Sequence, residues 1–130
     1  MSSLTKFASP ERALVFTPHP DDSELGCGGT IAEWVSSGTI VTYVLCTNGD
    51  KGSSDPDMTS AKLAAIRSEE QEKAAKILGV SNVLKLGYAD GFLEDTSEFR
   101  EKIVKAIRTY KPNVVLATDP IRTKFYLHRD

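Results

Sequence analysis

The run His19-Pro20-Asp21-Asp22 brings together the residue types in this chain best suited to chemistry. Imidazole and carboxylate side by side suit a borderline divalent ion such as zinc. His19 and Asp22 are three apart and follow an apolar run that reads as a strand. Both can therefore face one ion across a tight, proline-containing turn. If Asp22 binds the metal, Asp21 is free to take a proton from a water held there, so one turn would carry both the ion and its base. The bland reading is that Asp21 or Asp22 N-caps the following helix. For four residues alone that reading is favoured, because short motifs arise by chance.

The context shifts the balance. Gly26-Cys27-Gly28-Gly29-Thr30 follows at once, so an acidic turn runs into a helix start whose missing side-chain bulk predicts close packing on a sheet. Glycine-rich turns between strand and helix also cradle phosphate. Here the spacing is not Gly-x-Gly-x-x-Gly, and Asp21, Asp22 and Glu24 would repel a phosphate unless a cation intervened.

The elements that must position this turn alternate along the chain. Ala13–Thr17 is a strand former ended by prolines, and a helix from about Glu24 to Ser37 stops at Gly38. Ile40–Cys46 lacks alternation, as a strand buried on both faces does. The polar segment from Thr47 to Ser60 is rich in turn signals and long enough to suggest function. A helix over roughly Ser60–Leu78 ends at Gly79, and Asn82–Leu86 reads as a third strand. Asp95 three before Glu98 predicts a capping box, followed by a buried stripe of Phe99, Ile103, Ala106, Ile107 and Tyr110. Lys111-Pro112 ends that helix, and Asn113–Thr118 is a fourth strand. The fold class expected is α/β, a Rossmann-like parallel sheet flanked by helices in three layers. Ligands in such sheets bind beyond the carboxyl ends of the strands. Three polar segments should converge there: His19 to Asp22, Thr47 to Gly52, and Asp119 onward.

At 130 residues the chain fits one domain, and its apolar fraction of 40% and charged fraction of 26% are those of an ordinary globular protein. A net charge of -2 argues against a nucleic-acid partner. No apolar h-region or membrane-length stretch is present, so no membrane partner is expected. Cys27 and Cys46 form no disulfide framework and read as small buried residues, which makes the cytoplasm the expected compartment.

The segment Pro18 to Thr30 resembles the signature of the PIG-L/LmbE family of metal-dependent de-N-acetylases. The likeness continues through Thr47-Asn48-Gly49-Asp50-Lys51-Gly52, Arg67 and Glu70, Leu86 to Gly91, Asp119-Pro120 and His128-Arg129-Asp130. It implies a zinc-dependent N-deacetylase (or one using another divalent transition metal), an amide hydrolase that removes an acetyl group from an N-acetylglucosamine-type conjugate. By position, His19 and Asp22 resemble the family's metal ligands and Asp21 its general base. Arg67 and Asp90 resemble groups that touch the substrate sugar. Ser23 stands where many members carry glutamate, with Glu24 one place later, a pattern similar to bacillithiol-pathway deacetylases. The family closes its site with His-x-x-His, whose later histidine is the third metal ligand. His128 matches the earlier one, a catalytic group that stabilises the oxyanion or protonates the leaving amine, a role worth about 3 kcal/mol of barrier. The expectation is thus a single deacetylase-like domain over 1–130, incomplete at its C-terminus, with two of three ligands and little activity. A sheet cut short would expose an edge or apolar face, a route to homo-oligomers.

Simpler readings stand beside these. Arg67 and Glu70 are i,i+3 on a helix and suit a solvated ion pair. Asp90-Gly91 and Asn48-Gly49-Asp50 are turns first, with a pocket role for Asp50 and Lys51 the lesser expectation. Trp34 and Tyr43 are packing residues. The competing functions are a non-catalytic metal- or sugar-binding α/β domain and a flavodoxin-like nucleotide binder.

Overall fold

Four β-branched, apolar runs form one parallel sheet in the computed structural model, which describes residues 8–119 and 130. They are β1 (Arg12–Thr17), β2 (Ile40–Thr47), β3 (Asn82–Tyr88) and β4 (Val114–Leu116), in the order β3-β2-β1-β4. The helices α1 (Asp22–Ser36), α2 (Ser60–Leu78) and α3 (Ser97–Tyr110) alternate with them. The α/β sandwich read from the alternation is the architecture observed. β2 lies between β1 and β3 and is buried from Val41 to Thr47, which explains its unbroken run of strand formers.

Alternate residues of the two central strands feed opposite layers. Ala13, Val15, Val41 and Tyr43 pack with Ile31 of α1 and Ala75 of α2, while Leu14 and Val44 face Ala106 of α3. The strand order reverses at β1, because α3 carries the chain back over the sheet to β4. The end of β1 is therefore the topological switch point, where a crevice opens. His19 follows that end by two residues.

Capping chemistry fixes the helix ends. Thr59 Oγ1 accepts the amide of Lys62 at the start of α2, and Gly79 ends it with φ of 79°. A Cβ on Gly79 would lie 2.7 Å from Val35 Cγ1, in the contact between α2 and α1. Gly79→Ala is thus expected to lower stability by about 1–2 kcal/mol from the left-handed conformation alone, with the Val35 clash added. Urea unfolding of both proteins measures the difference.

Three local expectations are corrected. The cap of α3 is Thr96, whose Oγ1 accepts the amide of Phe99, whereas Asp95 turns to a bidentate pair with Arg100. The stripe on α3 is only partly covered: Ala106 is buried but Ile107 is 38% exposed. α3 stands alone on its face among the described residues, and one helix covers little more than two strands. Among the described residues, glycines 26, 28 and 29 do not serve close packing, since a Cβ at each would meet none of them within 4 Å. They flank Cys27, whose φ and ψ of -147° and 20° kink α1. Among the described residues no helix is long and apolar enough to cross a membrane.

Candidate active site

Beyond β1 the backbone is fastened to its neighbour before it turns. Pro18 C=O accepts both the amide and the hydroxyl of Thr47, each at 2.8 Å, which ties the end of β1 to the end of β2. The next four residues fold back on themselves. The amide of His19 donates to Asp22 Oδ2 at 2.9 Å, and the amide of Asp22 lies 3.4 Å from His19 C=O. Asp22 is the first residue of α1, yet its carboxylate points back to the turn. Its Oδ2 lies 3.3 Å from His19 Nδ1.

That separation bears on metal binding. Two ligands bonded at about 2.0–2.1 Å to one tetrahedral zinc stand about 3.3 Å apart. The donor pair also has the right chemistry, one imidazole nitrogen and one carboxylate oxygen. The residues present fit a divalent transition metal at this edge of His19.

The opposite edge of the imidazole faces acids. His19 Nε2 is 3.2 Å from Asp90 Oδ1 and 3.2 Å from Asp130 Oδ2. Asp130 in turn accepts the amides of Gly91 at 2.6 Å and Leu93 at 2.9 Å, and Asp50 Oδ1 accepts the amide of Asp90. Burial works to raise the Asp130 pKa, but the two amides and His19 outweigh it and hold the carboxyl below its ordinary range. His19, Asp90 and Asp130 could themselves gather around an ion, since one ligand atom from each lies within 4.8 Å of the others. The arrangement also matches a ligating histidine whose second nitrogen is held by carboxylates. The backbone amides already on Asp130 favour that orienting role, because its oxygens are committed to the loop after β3.

Asp21 is placed differently. It occupies the N-cap position of α1 with φ of 76°, but its side chain caps no helix amide. The bland capping reading therefore does not account for either acid. The Asp21 carboxylate is 57% exposed and accepts from Arg67 Nη2 at 3.2 Å. The same Nη2 donates to Pro20 C=O at 2.9 Å, so Arg67 reaches across from α2 to the turn rather than pairing with Glu70. Gly49 packs against the turn from the other side: its φ is 64°, and a Cβ there would lie 3.0 Å from Pro20 Cδ. A groove of about 180 Å³ opens beside Asp22 and Ser23, with Leu116, Ala117 and Thr118 forming its far wall. It lies at the switch point between β1 and β4.

The structure thus brings together His19, Asp21, Asp22, Arg67 and Asp90. Two of the three expected loops meet at this rim, and the loop after β3 joins them through Asp90. Asp119 sits just past β4, but residues 120–129 lie outside the described residues, and His128 with them. Lys51 reaches Ser60 at the start of α2 instead of the rim. Cys46 is buried, and burial followed by Asp130 pushes its thiol up to about 11. Two residues that sequence reasoning left out of the site stand out. Asp130 buttresses His19, and Gln71 of α2 accepts the amide of Asp21 at 3.1 Å. Gln71 follows Arg67 by four residues on one helix face, a spacing that could have flagged it.

The sequence and the fold have counterparts among known proteins. The family described as PIG-L, GlcNAc-PI de-N-acetylase, matches residues 14–130. The diacetylchitobiose deacetylase of Thermococcus kodakarensis is 40% identical over 114 residues, which cover 88% of this chain and 43% of that protein. A probable N-acetyl-alpha-D-glucosaminyl L-malate deacetylase 2 of Bacillus anthracis is 34% identical over 112 residues, covering 82% and 50%. In structure, the N,N'-diacetylchitobiose deacetylase of Pyrococcus horikoshii superposes with a TM-score of 0.89 at 37% identity, over 95% of this chain and 47% of that one. The chain spans about half the length of the curated relatives it matches. With a family match over nearly all its length and the acidic histidine turn in place, the chain belongs to the PIG-L family of de-N-acetylases.

Proposed function

We propose that this chain carries the metal-binding and general-base part of a de-N-acetylase that hydrolyses the acetamide of an N-acetylglucosamine-type conjugate. The observation that carries the reading is the 3.3 Å separation of His19 Nδ1 and Asp22 Oδ2 beside the outward-facing Asp21 carboxylate. His19 and Asp22 would hold zinc or another divalent transition metal. Bound there, the cation supplies Lewis acidity, polarising the acetamide carbonyl and making water a stronger acid.

The remaining work falls to the chain. Asp21 accepts the proton of the attacking water, for which it must come within about 3 Å of it. Asp90 and Asp130 hold the imidazole of His19 through Nε2, which leaves Nδ1 as the nitrogen that would hold a cation. Arg67 spends one nitrogen on the turn, and its remaining guanidinium donors suit the hydroxyls of a sugar. His128, outside the described residues, is assigned the charge that develops on the carbonyl oxygen. The names of the relatives support an amino-sugar conjugate as the substrate class, chitobiose and glucosaminyl-malate types among them.

Acetate release from N,N'-diacetylchitobiose and N-acetylglucosaminyl-malate tests the reading. The assay uses the chain extended past Asp130 by the third ligand that the family resemblance implies; its zinc-loaded release should fall at least about a hundredfold on chelation and return when zinc is restored. Release that ignores chelation would contradict the metal-dependent reading. A zinc-loaded extended chain that binds these sugars but frees no acetate would favour the non-catalytic alternative.

A further inference from the structure

Asp21 holds a backbone conformation that L-residues adopt uncommonly, although aspartate tolerates it better than most. A φ of 76° in a residue other than glycine costs about 1–2 kcal/mol and persists only where the surroundings fix it. What fixes it comes from α2. Arg67 grips the carbonyl of Pro20 and the Asp21 carboxylate from the solvent side. From the interior, Gln71 Oε1 accepts the Asp21 amide at 3.1 Å. Gln71 is 4% exposed although its side chain ends in a primary amide.

The orientation of that amide follows from its second partner. Gln71 Nε2 donates to Glu24 Oε1 at 2.8 Å. A carboxylate only accepts, so Glu24 draws the NH2 end of Gln71 and leaves the oxygen end for Asp21. A reversed Gln71 would set its NH2 against the Asp21 N–H and its oxygen against the carboxylate. Below the pair lies Tyr43 of β2, 1% exposed, so the arrangement rests on a packed floor. Glu24 and Gln71 are 47 residues apart, and together they tie the start of α1 to α2 behind the reactive turn.

We propose that Gln71, oriented by Glu24, is the positioning residue that aims the Asp21 carboxylate for proton transfer. This rests on the assignment of Asp21 as the base. It adds a buried pair that works through the backbone of Asp21 and touches neither cation nor substrate.

Three variants test it. Gln71→Met keeps the bulk and removes both hydrogen bonds. Gln71→Glu sets two carboxylates face to face, and their repulsion draws residue 71 away from the Asp21 amide. Gln71→Glu combined with Glu24→Gln exchanges the partners, so that the new carboxylate accepts from both the Asp21 amide and the new glutamine. Amide hydrogen exchange read by NMR should show the Asp21 amide exchanging about fivefold faster or more in both single variants, with Leu63 and Ala75 unchanged as folding controls. Zinc affinity and KM should stay within about threefold, while kcat in the deacetylation assay falls at least about tenfold. The exchanged pair should recover both exchange protection and kcat.

Single variants with unaltered Asp21 exchange and kcat, in a chain that binds zinc and turns over, would overturn the role of Gln71 and leave the deacetylase reading intact. Loss of kcat that the exchanged pair fails to recover would also overturn it, as would a matching loss of zinc affinity. A chain that shows neither zinc binding nor turnover would instead sink the assignment of Asp21, and the positioning role with it.

Discussion

Asp21→Asn is expected to lower kcat for deacetylation by about 10²–10⁴-fold, while zinc affinity changes by less than about threefold. The substitution removes a proton acceptor and little else. Asparagine tolerates positive φ at least as well as aspartate, so the turn at 76° should survive. The backbone amide of residue 21 still reaches Gln71, and Arg67 still reaches Pro20 C=O. His19 and Asp22 keep their mutual geometry, because neither bonds to the Asp21 side chain. Steady-state kinetics and titration calorimetry on the same preparations separate the two effects. Retained turnover would remove Asp21 from the role of base. Lost zinc binding would show that it acts as a ligand.

The second large effect is on the cation itself. His19→Ala should weaken zinc binding at least about a hundredfold, since it deletes a nitrogen ligand and leaves carboxylates alone. The same change takes one partner from Asp90, 8% exposed, and from Asp130, which now share the imidazole. Losing that partner should cost about 1–3 kcal/mol of folding stability in the metal-free chain. Calorimetry with zinc, paired with urea unfolding in chelator, reads both. An alanine variant that binds zinc as tightly as the unchanged chain would place the ion elsewhere.

Local rules made much of this molecule readable. α2 runs from Ser60 to Leu78 as its cap and Gly79 stop imply, and β2 shows the unbroken apolar pattern of a doubly covered strand. The chemistry of His19 to Asp22 was legible because residue type and spacing alone restrict it. Where two local signals compete, the reading slipped by one residue: Thr96 and Asp95 can both cap α3, and the choice fell to Thr96 because Asp95 has Arg100 for a partner. The glycines of α1 misled because absent bulk reads alike in a helix pressed on a sheet and in one kinked at its surface. Asp130 and Gln71 were not legible as site residues. Their partners lie 111 and 50 residues away, and only the folded chain brings them together. The family resemblance supplied Arg67 and Asp90, and the structure then showed what each touches within the chain.

Everything in the proposed chemistry depends on where a cation sits relative to one imidazole ring. Crystals of the chain grown with zinc, with the ion located by its anomalous scattering, address that directly. The ion should lie about 2.0–2.2 Å from His19 Nδ1 and from a carboxylate oxygen of Asp22, with Asp90 and Asp130 remaining on Nε2. An ion seated instead at Nε2 between Asp90 and Asp130, or no ion at this turn at saturating zinc, would contradict the account.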